Sequence, residues 1–409
     1  MSDVQAINLT VDPRVLGLRL QEGRKDRRLT QQDAAEALGM SRPTYIAIEK
    51  GERPVQPHEL IRLAELYGRS LHELLRQRPP IRDFVAHFRG ASADAYEGNP
   101  ELDDATRLLQ RLSDDYVELE EKCRTPLPRN YPALYNIERR DPAEAAEEVA
   151  AAERNRLGLG DGPVTNLRDL LESDVGLRIF YLGLPARISG LFVFTEELGG
   201  CMAIQRRHPR GRRLWSLCHE YAHFLVHRYE PEVTILRSDS RSSRKERFAD
   251  SFAKAFLMPA LGLRRRFHDL RRSAGPLTPA ALLILADLYG VSFEALLLRL
   301  EDLRLIPVGT WHRLKDNNFR VKEGQSLLGL GSGSGEPMLP RRYMGLAVRA
   351  YEDGLLSEGE LVEILHTDRQ QARQMVQEQT VRSAVTEEGE AGQLVLNLAE
   401  PLNGPRVLA

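Results

Sequence analysis

The sequence predicts a multidomain, mainly α protein: an all-α N-terminal domain, an α+β domain and a helical C-terminal region. Three observations predict it. The 409 residues exceed what one core of ordinary size accommodates. Apolar residues recur at three- and four-residue spacing through the first 78 positions. Residues 175–205 alternate toward strand, and two strongly apolar helical segments follow.

A composition of 42% hydrophobic and 28% charged residues is that of a packed globular chain, and excludes wholesale disorder, collagen-like repeats and a disulfide-dense miniprotein. No apolar run reaches the roughly 18 residues that a bilayer span needs. The N-terminus is polar and acidic rather than signal-like, so the expected compartment is the cytoplasm, with no membrane partner. Cys123, Cys201 and Cys218 form no metal-type pair, which leaves His and carboxylates as metal ligands. The net charge of −2 is unevenly spread: residues 91–125 hold ten Asp/Glu against four Lys/Arg, while Arg206, Arg207, Arg210, Arg212 and Arg213 crowd together. Charge alone neither predicts nor excludes a nucleic-acid partner.

In chain order, residues 1–78 read as short helices. Thr30 is placed to cap a helix from Gln31, Gly39 to end it, and Ser41 to cap the next, with Pro43 in its first turn. Residues 79–125 read as an acidic helical linker or dimerisation segment, with Ala105, Leu108, Leu109, Leu112, Tyr116 and Leu119 along one side. The α+β domain is expected over 126–272, a helical extension over 273–325, a flexible Gly/Ser-rich linker over 326–340, and a helical region with a polar tail over 341–409. One echo joins distant parts: Leu63-Ala64-Glu65-Leu66-Tyr67-Gly68 matches Leu285-Ala286-Asp287-Leu288-Tyr289-Gly290.

The sharpest chemical signal is His219-Glu220-Tyr221-Ala222-His223 within an apolar helical pattern. A spacing of four puts both imidazoles on one face, one turn apart, where they can share a zinc ion with Glu220 beside it. A hydrolytic zinc needs a third protein ligand and an open position, and the helix 244–258 offers Glu246 with Asp250 one turn later. Glu246 would bind Zn2+, and Asp250 either accepts the remaining N–H of a ligand imidazole or is a helix-surface carboxylate. His227 is read as exposed or helix-capping, Cys218 and Tyr221 as packed.

Arg212–His227, with Glu246-Arg247-Phe248-Ala249-Asp250-Ser251-Phe252-Ala253 running to Leu257-Met258-Pro259, resembles the ImmA/IrrE family of zinc metallopeptidases over roughly 130–270. The resemblance implies a zincin-like (gluzincin) fold, His219, His223 and Glu246 as metal ligands, and Glu220 as the catalytic general base. Asp250 stands where that family usually has Asn.

Leu29-Thr30-Gln31-Gln32-Asp33-Ala34-Ala35 through Gly39-Met40-Ser41 to Gly51 and Arg53 resembles the Xre/Cro-type helix-turn-helix over about 13–77. It implies a second helix in the major groove of an operator, with Arg42, Thr44 and Tyr45 toward bases and Gln31, Lys50 and Arg53 at or near the backbone. Ile46 and Ile48 are core on pattern. Residues 1–78 carry thirteen Lys/Arg against eleven Asp/Glu, so one copy should bind weakly and a homodimer on a palindrome is expected. The expected function is a DNA-binding regulator that cleaves a specific repressor, antitoxin or partner protein, in stress response, mobile-element or toxin-antitoxin control. The alternatives are a non-proteolytic regulator or antitoxin whose metallopeptidase-like domain senses a ligand or binds a partner, and a peptidase whose N-terminal domain recruits proteins.

Overall fold

The computed structural model describes residues 11–69, 71–75, 84, 85, 88, 99–230, 232–235, 243–274, 277–330, 336–380, 383–385 and 391–393. It divides into two compact units, Met1–Asp83 and Phe84–Ala409. The architecture is multidomain and mainly α, as the sequence predicts.

The first unit holds α1 (Pro13–Asp26), α2 (Gln31–Leu38), α3 (Arg42–Glu49), α4 (Pro57–Tyr67) and the short α5 (Leu71–Leu74). Thr30 and Asp33 form a reciprocal capping box at the start of α2, and Gly39 ends it at φ 67°. Ser41 then caps α3 through the backbone N–H of Thr44. Gly17 lets α1 lie directly on the end of α3, since a Cβ there would sit 2.3 Å from the Glu49 carbonyl oxygen. The core is Leu16, Leu20, Ala34, Ala35, Tyr45, Ile48, Leu60, Leu63 and Tyr67.

In the second unit, α6 (Pro100–Lys122) precedes α7 (Pro142–Arg156) and α8 (Leu167–Leu170). Three strands follow, β1 (Arg178–Leu182), β2 (Ile188–Thr195) and β3 (Gly199–Gln205), then α9 (Arg210–His227) and β4 (Glu232–Ile235). The sheet order is β1-β3-β2-β4, with β1 parallel to β3 and the other pairs antiparallel. Strands β1 and β3 are buried throughout, as befits a sheet covered by helices. Beyond it run α10 (Arg244–Leu257), α11 (Ala260–Ala274), α12 (Pro279–Leu288), α13 (Phe293–Asp302), α14 (Thr310–Asp316), α15 (Val321–Leu327), α16 (Arg341–Glu352), α17 (Glu358–Ile364) and α18 (Arg369–Thr380). A two-stranded pair, β5 (Ser383–Val385) and β6 (Ala391–Gln393), closes the described chain.

Three expected boundaries differ in the structure. The helix read as a linker or dimerisation segment is integral to the second unit: Leu102, Leu109, Leu112, Tyr116 and Leu119 are fully buried, and Tyr116 packs edge-on against Phe180 and Tyr343. Its apolar stripe is therefore satisfied within the chain. The region beyond 272 shares the core of the α+β domain, because one hydrophobic cluster runs from Ile137 to Ile306. Residues 331–335 of the Gly/Ser-rich linker and most of the polar tail lie outside the described residues. The adjoining Pro337 and Met338 are tied down, their carbonyls accepting from the Arg168 guanidinium at 2.7 and 2.8 Å.

Gly68 and Gly290, the ends of the echoed sequences, both close their helices with left-handed backbone, at φ 62° and 63°. All three cysteines are buried thiols. Among the described residues no single helix is long and apolar enough to cross a membrane.

Candidate metal centre

Helix α9 packs against both α10 and β2, and its apolar face is set by Leu217, Tyr221, Phe224 and Leu225, all fully buried. On the opposite side of the helix, roughly 180° round, His219 and His223 lie a turn apart with 4% and 1% exposure. Helix α10 supplies the third group. Ser243 accepts from the backbone N–H of Glu246, so the cap fixes Glu246 in the first turn, where its carboxylate meets both imidazoles.

The His219 Nε2 and His223 Nε2 atoms are 3.1 Å apart. Glu246 Oε2 lies 3.4 Å from His219 Nε2, and its Oε1 lies 3.4 Å from His223 Nε2. One donor atom from each of the three residues lies within 4.8 Å of the other two, and ligands of a tetrahedral ion bonded at about 2.0–2.1 Å are separated by about 3.3–3.4 Å, so the cluster is of a size to gather round one such ion. The donor set of two imidazoles and one carboxylate suits a transition-metal dication.

Asp250 Oδ1 lies 3.0 Å from the other ring nitrogen of His219, and its side chain is 57% exposed. In the neutral ring this carboxylate favours the Nδ1–H tautomer, the one whose Nε2 lone pair faces the triangle. Burial opposes a charge on His219, but the hydrogen bonds to Asp250 and Glu246 outweigh it and raise the pKa to about 10. Burial pushes His223 down to about 4, against the opposing pull of Glu246. Burial would raise the Glu246 carboxyl, yet the two imidazoles hold it well below the usual carboxylate range.

Glu220 is fully buried, and its carboxylate lies against β2 at Gly190, where an added Cβ would sit 2.1 Å from Oε1. The pairing of β2 with β4 slips between Ile188 and Gly190. Sequence reasoning missed Gly190; its signal was a glycine inside an apolar strand, which marks a bulge or a close approach. Also missed was Glu153 on α7, fully buried and accepting from Tyr221 at 2.5 Å and Tyr135 at 2.8 Å, with Arg156 at 2.7 Å. This network ties the helix that carries the histidines to α7. Tyr221 and Cys218 are packed as expected. His227 is half-buried, 3.8 Å from Glu230, rather than exposed.

In the first unit, Arg42 and Lys50 are exposed and Thr44 is half-buried, 2.7 Å from the Ser41 hydroxyl. Tyr45 does not face the groove: it is fully buried, its hydroxyl 3.0 Å from Glu49 and 2.5 Å from the Tyr67 hydroxyl. Ile46 is half-buried in its place, because the helix presents Tyr45 and Ile48 inward. Gln31 donates to Glu49 at 2.8 Å, and Arg53 is held bidentately by Glu59 at 2.8 and 2.9 Å. Glu49 also receives Arg24 at 2.6 Å, a buried ion pair beneath the motif.

Comparison with known proteins agrees with this division. Residues 20–74 match the helix-turn-helix family, and residues 172–301, which include every residue of the triangle, match the IrrE N-terminal-like domain, a peptidase family. An uncharacterized HTH-type transcriptional regulator, YqaE, of Bacillus subtilis (strain 168) is 40% identical over 57 residues, 14% of this chain. The chain spans about half the length of that relative, at 49%. The chain thus joins a helix-turn-helix domain to a metallopeptidase-type domain of the IrrE N-terminal-like family.

Proposed function

We propose that the protein is a DNA-binding transcriptional regulator with zinc metalloendopeptidase activity, which cleaves one specific repressor, antitoxin or partner protein to switch gene expression. The observation that carries this reading is the cluster of His219, His223 and Glu246, in which the two imidazole Nε2 atoms lie 3.1 Å apart and each lies 3.4 Å from one of the two Glu246 carboxylate oxygens.

His219, His223 and Glu246 would hold Zn2+, which when bound supplies Lewis acidity toward a carbonyl and lowers the pKa of water. Glu220 takes the proton of the attacking water and delivers it to the leaving amine. Asp250 accepts the Nδ1 proton of His219, keeping the ring oriented and raising its basicity as a ligand. Burial of His219, Glu220 and His223 excludes bulk water from the reacting groups. Arg42 and Thr44 on α3 read the operator, with Gln31, Lys50 and Arg53 at its backbone and a homodimer spanning a palindrome. Stress-response, mobile-element or toxin-antitoxin control fits such a switch.

The test is to recover Glu220→Gln protein from its host beside the wild type and identify what co-purifies. A protein enriched with the variant and cut by the wild type in a zinc-dependent way supports the reading. The same partner bound and uncut by both forms would favour a non-proteolytic regulator or antitoxin instead.

A further inference from the structure

Helix α11 (Ala260–Ala274) carries five arginines and a single carboxylate, Asp269. Successive residues advance about 100° round a helix, which places Arg264, Arg265, His268, Arg271 and Arg272 within an arc of about 120°. All five are exposed. The opposite face is occupied within the unit, with Leu263 and Phe267 at 0% and 2% exposure. The helix therefore has no apolar face left to lie in a membrane interface.

The charge on this face is largely uncompensated. Arg265 meets Asp161 at 2.7 Å and Arg272 meets Asp269 at 2.6 Å, but these side chains stay 60% and 77% exposed, and pairs of that kind open at little cost. Arg264 and Arg271 have no ion-pair partner among the described residues. Arg271 and Arg272 suit the C-terminal end of the helix dipole, whereas Arg264 and Arg265 gain nothing from it.

In the first unit part of the positive charge is paired internally. Its Arg24, Arg53 and Arg69 pair with Glu49, Glu59 and Asp26, and Arg27 donates to the Tyr67 carbonyl. Arg42, Lys50 and Arg62 of that unit stay exposed, and a helix-turn-helix with part of its charge paired internally gains affinity from any further phosphate contact, because much of the affinity for DNA depends on neutralised phosphates. From Arg264 to Arg272 the stripe spans about 12 Å, a length over which duplex DNA presents about seven negative charges.

We propose that this arginine face of the metallopeptidase-type domain is a second, sequence-independent contact for the DNA phosphate backbone. It rests on the DNA-binding reading of the first unit for the identity of the partner.

The experiment measures binding of the full chain to a mixed-sequence duplex and to selected operator DNA over a range of salt. Three forms are compared with wild type: Arg264→Glu/Arg271→Glu, Arg264→Gln/Arg271→Gln, and Arg42→Ala. Thermal melting checks that each folds; both arginines are exposed, and the Gln pair gives a milder second variant. In both α11 pairs the slope of log affinity against log salt should fall by about two, with affinity about ten-fold weaker at moderate salt and selectivity unchanged. Slopes equal to wild type, with selectivity lost only in Arg42→Ala, overturn the α11 contact and leave the helix-turn-helix reading standing. A wild-type chain that binds no duplex overturns both. Loss of binding to polyglutamate with an unchanged DNA slope overturns the proposal in favour of an acidic polypeptide.

Discussion

Asp250 Oδ1 lies 3.0 Å from His219 Nδ1, while the Nε2 of the same ring faces His223 and Glu246. One imidazole thus lies between a carboxylate on one side and the proposed metal-binding cluster on the other. Asp250→Ala should lower zinc affinity about 10–100-fold with the fold retained, because the ring loses its fixed tautomer while the three ligands remain. Competition against a chromophoric chelator measures it; an unchanged affinity would mark Asp250 as a mere surface carboxylate.

Metal uptake should depend on pH in one direction. Before an ion binds, His219, raised to about 10, carries a proton at neutral pH, whereas His223, lowered to about 4, carries none. The incoming ion must displace the His219 proton, so affinity rises with pH, about ten-fold per unit between those two values, and falls as acid restores the proton. A titration series in zinc buffers reads the slope, and a flat profile would contradict a protonated His219.

Gly190→Ala separates chemistry from folding. The new Cβ would meet Glu220 Oε1, Cδ and Cγ at 2.1, 2.7 and 2.9 Å, all in the side chain, so the carboxylate must shift away from β2. Displacing the general base by about an ångström should cost about 10²-fold in cleavage while zinc binding stays intact. Equal activity of the two forms on the identified substrate, or lost metal in the variant, would falsify this role for Gly190.

Glu220→Gln keeps the shape of the side chain and removes its basicity. Cleavage should fall about 10²–10⁴-fold with metal and DNA binding retained. The check is substrate cleavage by preparations of equal measured zinc content.

In the first unit, Glu49→Ala should destabilise by about 3–5 kcal/mol, since it strands the Arg24 guanidinium in a buried site that also loses Tyr45 and Gln31 as partners. Tyr45→Phe should cost about 1–2 kcal/mol and leave operator selectivity intact, unlike Arg42→Ala. Denaturant melts of the variants, paired with binding to selected and mixed-sequence DNA, distinguish a core tyrosine from a groove contact.

The sequence by itself determined what depends on local spacing. A four-residue interval fixes two histidines on one helical face, Thr30, Gly39 and Ser41 fix the boundaries of two helices, and Glu246 with Asp250 repeats the one-turn interval on a second helix. Those residues were legible because helical geometry is the same everywhere. Tertiary structure decided what depends on which faces meet. Tyr45 rather than Ile46 turned inward because Glu49 and Tyr67 await its hydroxyl. The acidic helix at 100–122 became part of the second unit because Phe180 and Tyr343, distant in sequence, cover Tyr116. Gly190 and Glu153 were illegible for the same reason: each matters only through a side chain on α9 that reaches it across the packed interior, and no local pattern encodes a contact between elements.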